Sequence, residues 1–328
     1  MGALRLLLAI LVALSHMGIS VAGHNPGVVA VFSFLAISGY VMTALIDKNY
    51  RQISSIPSFY LDRALRLYPQ FLFYFVLSSL VIYFYLPASA AFNSLTWENI
   101  VPSLAIAPLG LYMFGITSPE IVPPAWSLGL EAFFYLIIPF LLIWKLRDVA
   151  FVISLVISLI AATGLINTDV WGYRLLPGVL FVFLCGSYVF HQEKKGRVLI
   201  IFAWGVYAVL FAFIKCGFVR ESPSNVEIAM GVLIAIPAIY FFSQLGQHKI
   251  DEFLGNISYG VFLNHFVFIY LFQGLKMDAP YSSVRSLALL LALSFFTSFL
   301  SYFLVERPAL RLRHKLRKAR FPSSSSPA

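Results

Sequence analysis

Residues 4–18, LRLLLAILVALSHMG, are almost entirely aliphatic, yet they include the ionisable residues Arg5 and His16. Two structures fit such a run. It is a signal peptide, for which the small residues around Ala22 offer a cleavage site, or it is the first of several membrane helices. A charged group in lipid is costly. In the second case we therefore expect both polar side chains to face the interior of a helix bundle.

The composition of the whole chain favours the membrane helix. Of the 328 residues, 60% are hydrophobic and only 11% are charged, which is typical of a polytopic membrane protein. The two cysteines, Cys185 and Cys216, lack the spacing of metal ligands, so we predict neither a disulfide framework nor a metal site. The net charge of +9 follows the predicted topology, and we expect no nucleic-acid partner.

The hydrophobic runs predict an all-α fold, a polytopic membrane bundle of about ten helices. The predicted spans are residues 3–21, 27–46, 67–87, 124–144, 149–166, 174–191, 197–215, 226–245, 257–274 and 283–305. Residues 99–116 form a further apolar run, but Pro102, Pro108 and two glycines argue against a regular helix. We predict a re-entrant or interfacial segment there, whose backbone groups need partners within the protein.

The basic residues predict the orientation. With ten spans and a cytoplasmic N-terminus, 18 of the 23 Lys and Arg residues lie on the cytoplasmic side, as the positive-inside rule expects. Counting residues 99–116 as a full span would place the following basic loops on the opposite side. We therefore predict a bacterial inner-membrane protein with both termini cytoplasmic. Residues 1–306 form one membrane domain, and residues 307–328 form a basic, then Ser/Pro-rich tail held against anionic lipid.

Three ionisable residues are predicted to share the interior of the bundle. Arg5 and His16 are 11 residues apart, which places them on one helix face about 16 Å apart along the axis. His16 lies about five residues from the outer end of its predicted span, and Glu131 lies at a similar depth in the span that starts outside. We expect these two side chains to meet. Ser127 and Tyr135 would share the face of Glu131.

A buried neutral histidine beside a carboxylate can act as a general base towards a weakly acidic hydroxyl. His16 and Glu131 suit that chemistry, although a structural contact between helices is the alternative. His265 is equally compatible with a site role and with helix packing. Arg63 and Arg66, one helical turn apart, suit a phosphate clamp, but the positive-inside rule alone also predicts basic residues there.

Six stretches in order carry a resemblance to a known family. They are FSFLAISGYVM (32–42), DRALRLYP (62–69), WSLGLEAFFYLIIP (126–139), YRLLPGVLFVFLCGSYVF (173–190), LGNISYGVFLNHFVF (254–268) and VERP (305–308). Together with Arg5 and His16, they resemble the acyltransferase-3 family of integral-membrane O-acyltransferases over nearly the whole chain.

The resemblance implies ten membrane helices and transfer of an acyl group from acyl-CoA to a hydroxyl compound. It makes His16 the active-site histidine and Glu131 a second catalytic residue. It also implies donor contacts from Arg5, Arg63 and Arg66. We assign substrate contacts within the same motifs to Trp126, Ser127, Tyr135, Tyr259 and His265. Two departures stand out. Asp62 replaces the first residue of the family's arginine pair, and the extracytoplasmic hydrolase-like domain of many members is not expected here.

These observations lead to one functional hypothesis with several alternatives. We expect acetyl-CoA, or another acyl-CoA, to bind from the cytoplasm. Its acyl group would pass to an envelope glycan or a lipid-linked sugar, with His16 as general base or transient acyl carrier. A small glycosylated metabolite is an alternative acceptor. A proton-coupled or acyl-group transporter and a non-catalytic partner of an envelope complex are alternative functions. The sequence leaves homo-oligomerisation open.

Overall fold

The computed structural model describes residues 1–222, 224–246, 248–277 and 283–320. Within them the chain forms thirteen α-helices joined by short turns, and it contains no β-strand. The helices are α1 (Gly2–His16), α2 (Pro26–Asn49), α3 (Ile56–Tyr85), α4 (Ala90–Asn93), α5 (Trp97–Leu104), α6 (Trp126–Ile143), α7 (Arg147–Ala162), α8 (Leu176–His191), α9 (Lys194–Lys215), α10 (Asn225–Gln244), α11 (Lys249–Gly274), α12 (Val284–Ser301) and α13 (Arg307–Arg320). The predicted all-α bundle is confirmed. The Ser/Pro-rich end of the predicted tail lies outside the described residues.

Ten of these helices overlap the ten predicted spans, although α3 begins 11 residues and α11 begins 8 residues before the predicted start. Eight helical stretches in the described part are long and apolar enough to cross a membrane, and they contain α2, α3, α6 and α8 to α12. The remaining two, α1 and α7, have only 15 and 16 residues. At a rise of about 1.5 Å per residue they are shorter than the hydrocarbon core of a bilayer.

The first span is shorter than predicted. Helix α1 ends at His16, five residues before the predicted end of the span. Gly18 follows with φ of 84°, a left-handed conformation that ends a helix. A tight turn then leads to Asn25, whose side chain accepts a hydrogen bond from the Gly27 amide at 2.8 Å and caps α2. His16 therefore lies at the last turn of α1 rather than well inside a longer helix.

Residues 99–116 do not form one continuous helix, as their prolines predict. Helix α5 ends at Leu104, and Ile106 adopts a positive φ of 63° before a 3₁₀ stretch from Ala107 to Phe114. Gly110 packs directly on Gly129 of α6, because a Cβ on Gly129 would come within 2.1 Å of the Gly110 amide nitrogen. Leu109 and Gly110 are thus covered by protein, which is the condition for irregular backbone at membrane depth, whereas Phe114 and Ile116 at the end of the segment are exposed.

Helix α2 forms the centre of the bundle and packs against α1, α6, α8 and α10. Its closest approach is to α8. A Cβ on Gly39 would lie 1.7 Å from the Phe183 carbonyl oxygen, and one on Gly186 would lie 1.9 Å from the Ala36 carbonyl oxygen. Small residues of this kind let membrane helices pack backbone against backbone. The contact fixes α2 and α8 as one unit.

Helix α1 lies between α2 and α11. The Asp251 carboxylate, at the start of α11, accepts hydrogen bonds from the N-terminal amine of Met1 at 2.8 Å and from the amides of Gly2 and Ala3 at 2.9 Å. An acidic group at a helix N-terminus is favoured by the free amides and the helix dipole. The pairing sets the register of the two helices, so their polar residues further along also meet.

Helix α13 folds back onto the bundle. A π-helical turn from Tyr302 to Glu306 connects it to α12 and directs it along α3. Arg313 of α13 is bonded through Nε to the Asp62 carboxylate of α3 at 2.8 Å. This part of the predicted lipid-bound tail is therefore docked on protein as well.

Candidate active site

Four arginines surround one cavity of about 290 Å³ at the end of the bundle where α1 begins. They are Arg5 from α1, Arg63 and Arg66 from α3, and Arg313 from α13. Glu131 is the carboxylate that lines the same space. We refer to it as the arginine cavity. The four arginines and Glu131 give the lining an excess of three positive charges, and the buried carboxylates Asp62 and Glu306, which pair with three of the arginines, reduce this excess to one. The space is therefore suited to an anionic ligand.

Two buried carboxylates hold three of these guanidinium groups in place. Asp62 accepts hydrogen bonds from Arg63 through Oδ2 and from Arg313 through Oδ1. Glu306 pairs with Arg66, whose guanidinium carbon also lies 5.2 Å from the centre of the Tyr259 ring. Fixed guanidinium groups bind a phosphate with less loss of side-chain entropy than mobile ones.

Glu131 belongs to the arginine cavity and does not pair with His16. Its Oε1 accepts hydrogen bonds from Ser38 and from the Tyr135 hydroxyl, the latter at 2.6 Å. The predicted pairing is wrong because α2 lies between α1 and α6 and supplies Ser38 to Glu131. Depth matching could not reveal which helix separates the two residues. Glu131 instead lines the same cavity as Arg5.

His16 is paired with His265 of α11. Nδ1 of His16 lies 3.0 Å from Nε2 of His265, and the two rings stack with their centres 5.1 Å apart. Phe266 packs edge-on against His16, with ring centres 4.9 Å apart. His265 itself is fully buried. The histidine pair is a direct result of α1 lying against α11.

The hydrogen bonds determine which nitrogen of each neutral ring carries the proton. Nδ1 of His265 lies 3.2 Å from the Val261 carbonyl oxygen, which can only accept, so this nitrogen donates. Nε2 of His265 then has a lone pair and accepts from Nδ1–H of His16. His16 is left with its lone pair on Nε2. This is the arrangement of a base whose orientation is fixed by a second residue.

A second cavity of about 160 Å³ contains His16, and we call it the histidine cavity. Its other lining residues include the polar side chains Ser15, Asn25, Ser127, Asp169, Arg174 and Ser224. Arg174 donates to Asp169 at 2.6 Å. It also lies 4.9 Å from the Trp126 ring centre and 5.1 Å from that of Tyr173. The polar lining suits a hydroxyl-rich ligand.

The two cavities lie back to back. Val31 of α2, Ser127 of α6 and Phe262 of α11 line both of them. The Ser127 hydroxyl donates to the Pro124 carbonyl oxygen at 3.0 Å. We call these three residues the shared wall. A ligand that extends through the arginine cavity therefore comes within one side chain of the space that His16 lines.

The structure divides the ten predicted site residues between these spaces. Arg5, Arg63, Arg66, Glu131, Tyr135 and Tyr259 line the arginine cavity, and His16 and Trp126 line the histidine cavity. Ser127 lines both, and His265 lies behind His16. Four of the five predicted substrate contacts make hydrogen bonds within the protein, and those of Ser127 and His265 are described above. The Tyr259 hydroxyl donates to the Leu67 carbonyl oxygen at 3.0 Å, and Tyr135 donates to Glu131.

Three residues of the site were missed by sequence reasoning. Ser38 was quoted within a motif but received no role, and Arg174 was counted only as a basic residue on the outer side. Arg313 was assigned to lipid contact together with the rest of the basic tail. A signal existed for Arg174, because it lies within one of the resembling stretches. For Arg313 the chain offers no local pattern that distinguishes it from its basic neighbours.

Comparison with known proteins identifies the family of the chain. The family model described as "Acyltransferase domain", of the acyltransferase-3 type, matches residues 1–306. An uncharacterised protein of Aquifex aeolicus (strain VF5) is 31% identical over 204 residues, which cover 60% of this chain and 90% of that protein. A protein of Acidianus two-tailed virus, named "Putative acetyltransferase ORF330", is 25% identical over 257 residues. The match covers 74% of this chain and 73% of the viral protein.

No solved structure matches the chain significantly. The family match extends across the bundle and includes His16, His265 and all the arginines of the arginine cavity except Arg313. The chain belongs to the acyltransferase-3 family and is a multi-pass membrane acyltransferase.

Proposed function

We propose that this protein transfers an acetyl group from acetyl-CoA to a hydroxyl of a cell-envelope sugar or polysaccharide. The observation that carries the proposal is the shared wall, which separates a space suited to an anionic donor from the space that His16 lines. The family match supports acyl transfer. The printed name of the viral relative favours acetyl as the group transferred.

The arginine cavity is the proposed donor site. Its guanidinium groups suit the phosphates of acyl-CoA, because arginine binds phosphate through several directed hydrogen bonds. Asp62 and Glu306 fix three of these groups before the donor arrives. The narrow pantetheine portion then extends between α2 and α11 and brings the thioester to the shared wall.

The histidine cavity is the proposed acceptor site. His16 removes the proton of the acceptor hydroxyl through Nε2 while the hydroxyl oxygen attacks the thioester carbonyl. His265 accepts the Nδ1–H hydrogen bond and stabilises the imidazolium that forms. His16 then returns the proton to the sulfur as the C–S bond breaks, so the products are an ester and the free thiol. His265 acts through His16 and is a positioning residue.

A two-step route through His16 uses the same geometry. In that route Nε2 of His16 attacks the thioester itself, and the acceptor hydroxyl then takes the acyl group from the imidazole. The two routes are distinguished by incubating the purified protein with radiolabelled acetyl-CoA in the absence of acceptor. Label that remains on the denatured wild type and is absent from His16→Ala indicates the two-step route.

The orientation of the two cavities follows from the distribution of charge. We propose that the protein lies in a bacterial inner membrane with both termini in the cytoplasm. The arginine cavity then faces the cytoplasm, where acyl-CoA is made, and the histidine cavity faces the outer side. Fusing a reporter enzyme active only in the cytoplasm to residue 320 and to Phe218, between α9 and α10, tests the orientation.

His16→Ala in purified protein tests the function. We expect release of free CoA thiol and formation of acetylated envelope glycan to fall at least about a hundredfold, the usual scale of a lost general base. Mass spectrometry of envelope glycans from cells carrying each variant would identify the acceptor. His24→Ala is the matched control, since His24 lies nearby but pairs with Glu227. Normal turnover by His16→Ala would rule the proposal out.

A transporter of acyl groups is the second candidate. Two cavities that approach each other from opposite ends of a bundle also suit alternating access across a membrane. Uptake of an acylated compound into proteoliposomes without release of CoA thiol would favour this function. An acyltransferase releases one thiol for each acyl group transferred. A non-catalytic role predicts full function in a His16→Ala/Glu131→Ala double variant.

A further inference from the structure

The most informative residue outside the family match is Arg313. Its side chain is only 13% exposed, although it lies in the strongly basic stretch that follows residue 306. It lines the arginine cavity together with Arg5, Arg63 and Arg66. Contact with lipid headgroups alone does not account for the burial of one arginine of this helix in the cavity.

Arg313 is held at the cavity by Asp62 of α3. Oδ1 of Asp62 accepts from Nε of Arg313 at 2.8 Å, while Oδ2 accepts from the neighbouring Arg63. Asp62 is 4% exposed, so the carboxylate is shielded from solvent. Nε is the one nitrogen of Arg313 that is hydrogen-bonded within residues 1–222, 224–246, 248–277 and 283–320. The terminal nitrogens can therefore donate to a ligand.

The pairing also explains the departure at position 62. The resembling motif has an arginine where this chain has Asp62, and an aspartate in a cavity for an anion would by itself weaken binding. Here Asp62 brings in a guanidinium from α13, so the local charge of Asp62 and Arg313 together is zero rather than negative. With Arg63 added, the cluster carries one net positive charge.

We propose that Arg313 is a phosphate-binding residue for the donor and that α13 forms part of the mouth of the arginine cavity. This inference rests on the proposed function and deepens it, because it assigns recognition of the phosphorylated part of the donor to a segment outside the family match. The helix thus contributes to the specificity for donors that carry phosphate groups over simple thioesters.

Two donors separate this role from a structural one. S-acetylpantetheine carries the same thioester as acetyl-CoA but no phosphate. For Arg313→Ala in detergent-purified full-length protein, we expect KM for acetyl-CoA to rise about tenfold, the effect of losing one charge-assisted hydrogen bond. We expect KM for S-acetylpantetheine and kcat with either donor to stay within about threefold of the wild type. Arg313→Lys should recover part of the loss.

Arg311→Ala is the matched control, because Arg311 lies on the same helix but is exposed. We expect no change of KM for either donor. Equal effects of Arg311→Ala and Arg313→Ala, or equal effects of Arg313→Ala on both donors, would overturn the inference. The first result would indicate that α13 acts through general charge, as in binding to anionic lipid.

A charge swap addresses the risk that Arg313→Ala leaves Asp62 unpaired and destabilises the bundle. Asp62→Arg combined with Arg313→Asp keeps an ion pair between the two positions, moves the carboxylate that Arg63 also uses to α13, and returns a guanidinium to α3. We expect this double variant to bind acetyl-CoA within about threefold of the wild type, whereas Arg313→Ala alone binds about tenfold more weakly. A double variant as weak as Arg313→Ala would contradict phosphate binding by this pair.

A failure of the proposed acyltransferase function would give a different result from a failure of the proposed role of Arg313. Direct titration of the wild-type protein with CoA distinguishes the two cases. If the wild type neither binds CoA nor releases it from acetyl-CoA, the donor site itself is wrong, and the role of Arg313 is excluded with it. If the wild type binds CoA and Arg313→Ala binds equally well, the role of Arg313 is excluded and the proposed function is unaffected.

Discussion

The arginine cavity and the histidine cavity differ in size, charge and chemistry although they share a wall. The arginine cavity is the larger, at about 290 Å³ against 160 Å³, and it keeps one net positive charge when the paired carboxylates Asp62 and Glu306 are counted. In the histidine cavity Arg174 is paired with Asp169, and the base is held by a neutral hydrogen bond. In the proposed function, the first space holds the anionic donor and the second is the place of proton transfer.

The difference gives a physical reason for keeping the two proposed tasks, donor binding and proton transfer, apart. An unpaired guanidinium group next to His16 would oppose its protonation, because two like charges in a low-dielectric site repel strongly. Arg174, which lines the same cavity, is paired with Asp169. A neutral cavity would in turn bind the donor phosphates weakly. Placing Arg5 at one end of α1 and His16 at the other separates the two requirements by about 16 Å along a single helix.

The largest expected effect is a loss of kcat when the pairing of His16 with His265 is removed. His265→Leu removes the acceptor for Nδ1–H of His16, and we expect kcat to fall about a hundredfold while KM for acetyl-CoA changes little. His265→Gln places an amide oxygen near the position of Nε2 and should restore much of kcat. Equal loss in both variants would indicate a purely packing role for His265. The measurement is steady-state release of CoA thiol.

The next effect concerns charge in the arginine cavity. Arg5→Ala should raise KM for acetyl-CoA about tenfold and leave kcat within about threefold, because the side chain binds the donor without entering the proton transfer. Arg51→Ala, an exposed arginine in the loop before α3, is the control and should leave KM unchanged. A loss of kcat equal to the rise of KM in Arg5→Ala would contradict the separation of tasks.

The shared wall should set the size of the acyl group. Phe262 lines both cavities, so Phe262→Ala enlarges the space at the thioester. We expect the ratio of kcat/KM for butyryl-CoA to that for acetyl-CoA to rise about tenfold, since each additional methylene in a pocket is worth about 1–3 kcal/mol. Phe253→Ala, on the same helix but packed against Phe299 and Tyr302, is the control and should leave the ratio unchanged.

The smallest effect lies on the acceptor side. Arg174→Ala should raise KM for the acceptor about threefold to tenfold and leave KM for acetyl-CoA unchanged, the reverse of the pattern expected for Arg5→Ala. Part of its charge is already balanced by Asp169, so the change is modest. If Arg174→Ala weakened donor binding instead, the assignment of the two cavities would be reversed.

Hydropathy predicted the eight helices that are long and apolar enough to cross a membrane, because a run of about 20 apolar residues is a local property of the chain. It also located α1 and α7, which are shorter than the predicted spans. It also predicted the irregular segment at residues 99–116, since proline and glycine interrupt a helix wherever they occur. The end of α1 was predicted five residues too late. Gly18 is the residue that ends the helix, but a glycine in an apolar run does not always do so.

The sequence alone also identified most of the ionisable residues of the site. Ionisable residues in membrane helices are few and costly, so Arg5, His16, Glu131 and His265 stand out in the chain without any structure. Periodicity placed Arg5 and His16 on one face of a helix. These statements need only the rise and the twist of an α-helix, which are the same in every protein.

Tertiary structure decided which of these residues meet. Helix α2 separates α1 from α6 and bonds Glu131 through Ser38, while Asp251 sets α11 against α1 and brings His265 to His16. The fold-back of α13 likewise brings Arg313 to Asp62 across about 250 residues of chain. Neighbour relations between helices depend on close packing at sites such as Gly39 and Gly186. Many alternative arrangements bury the same apolar surface, so hydrophobic periodicity cannot distinguish them.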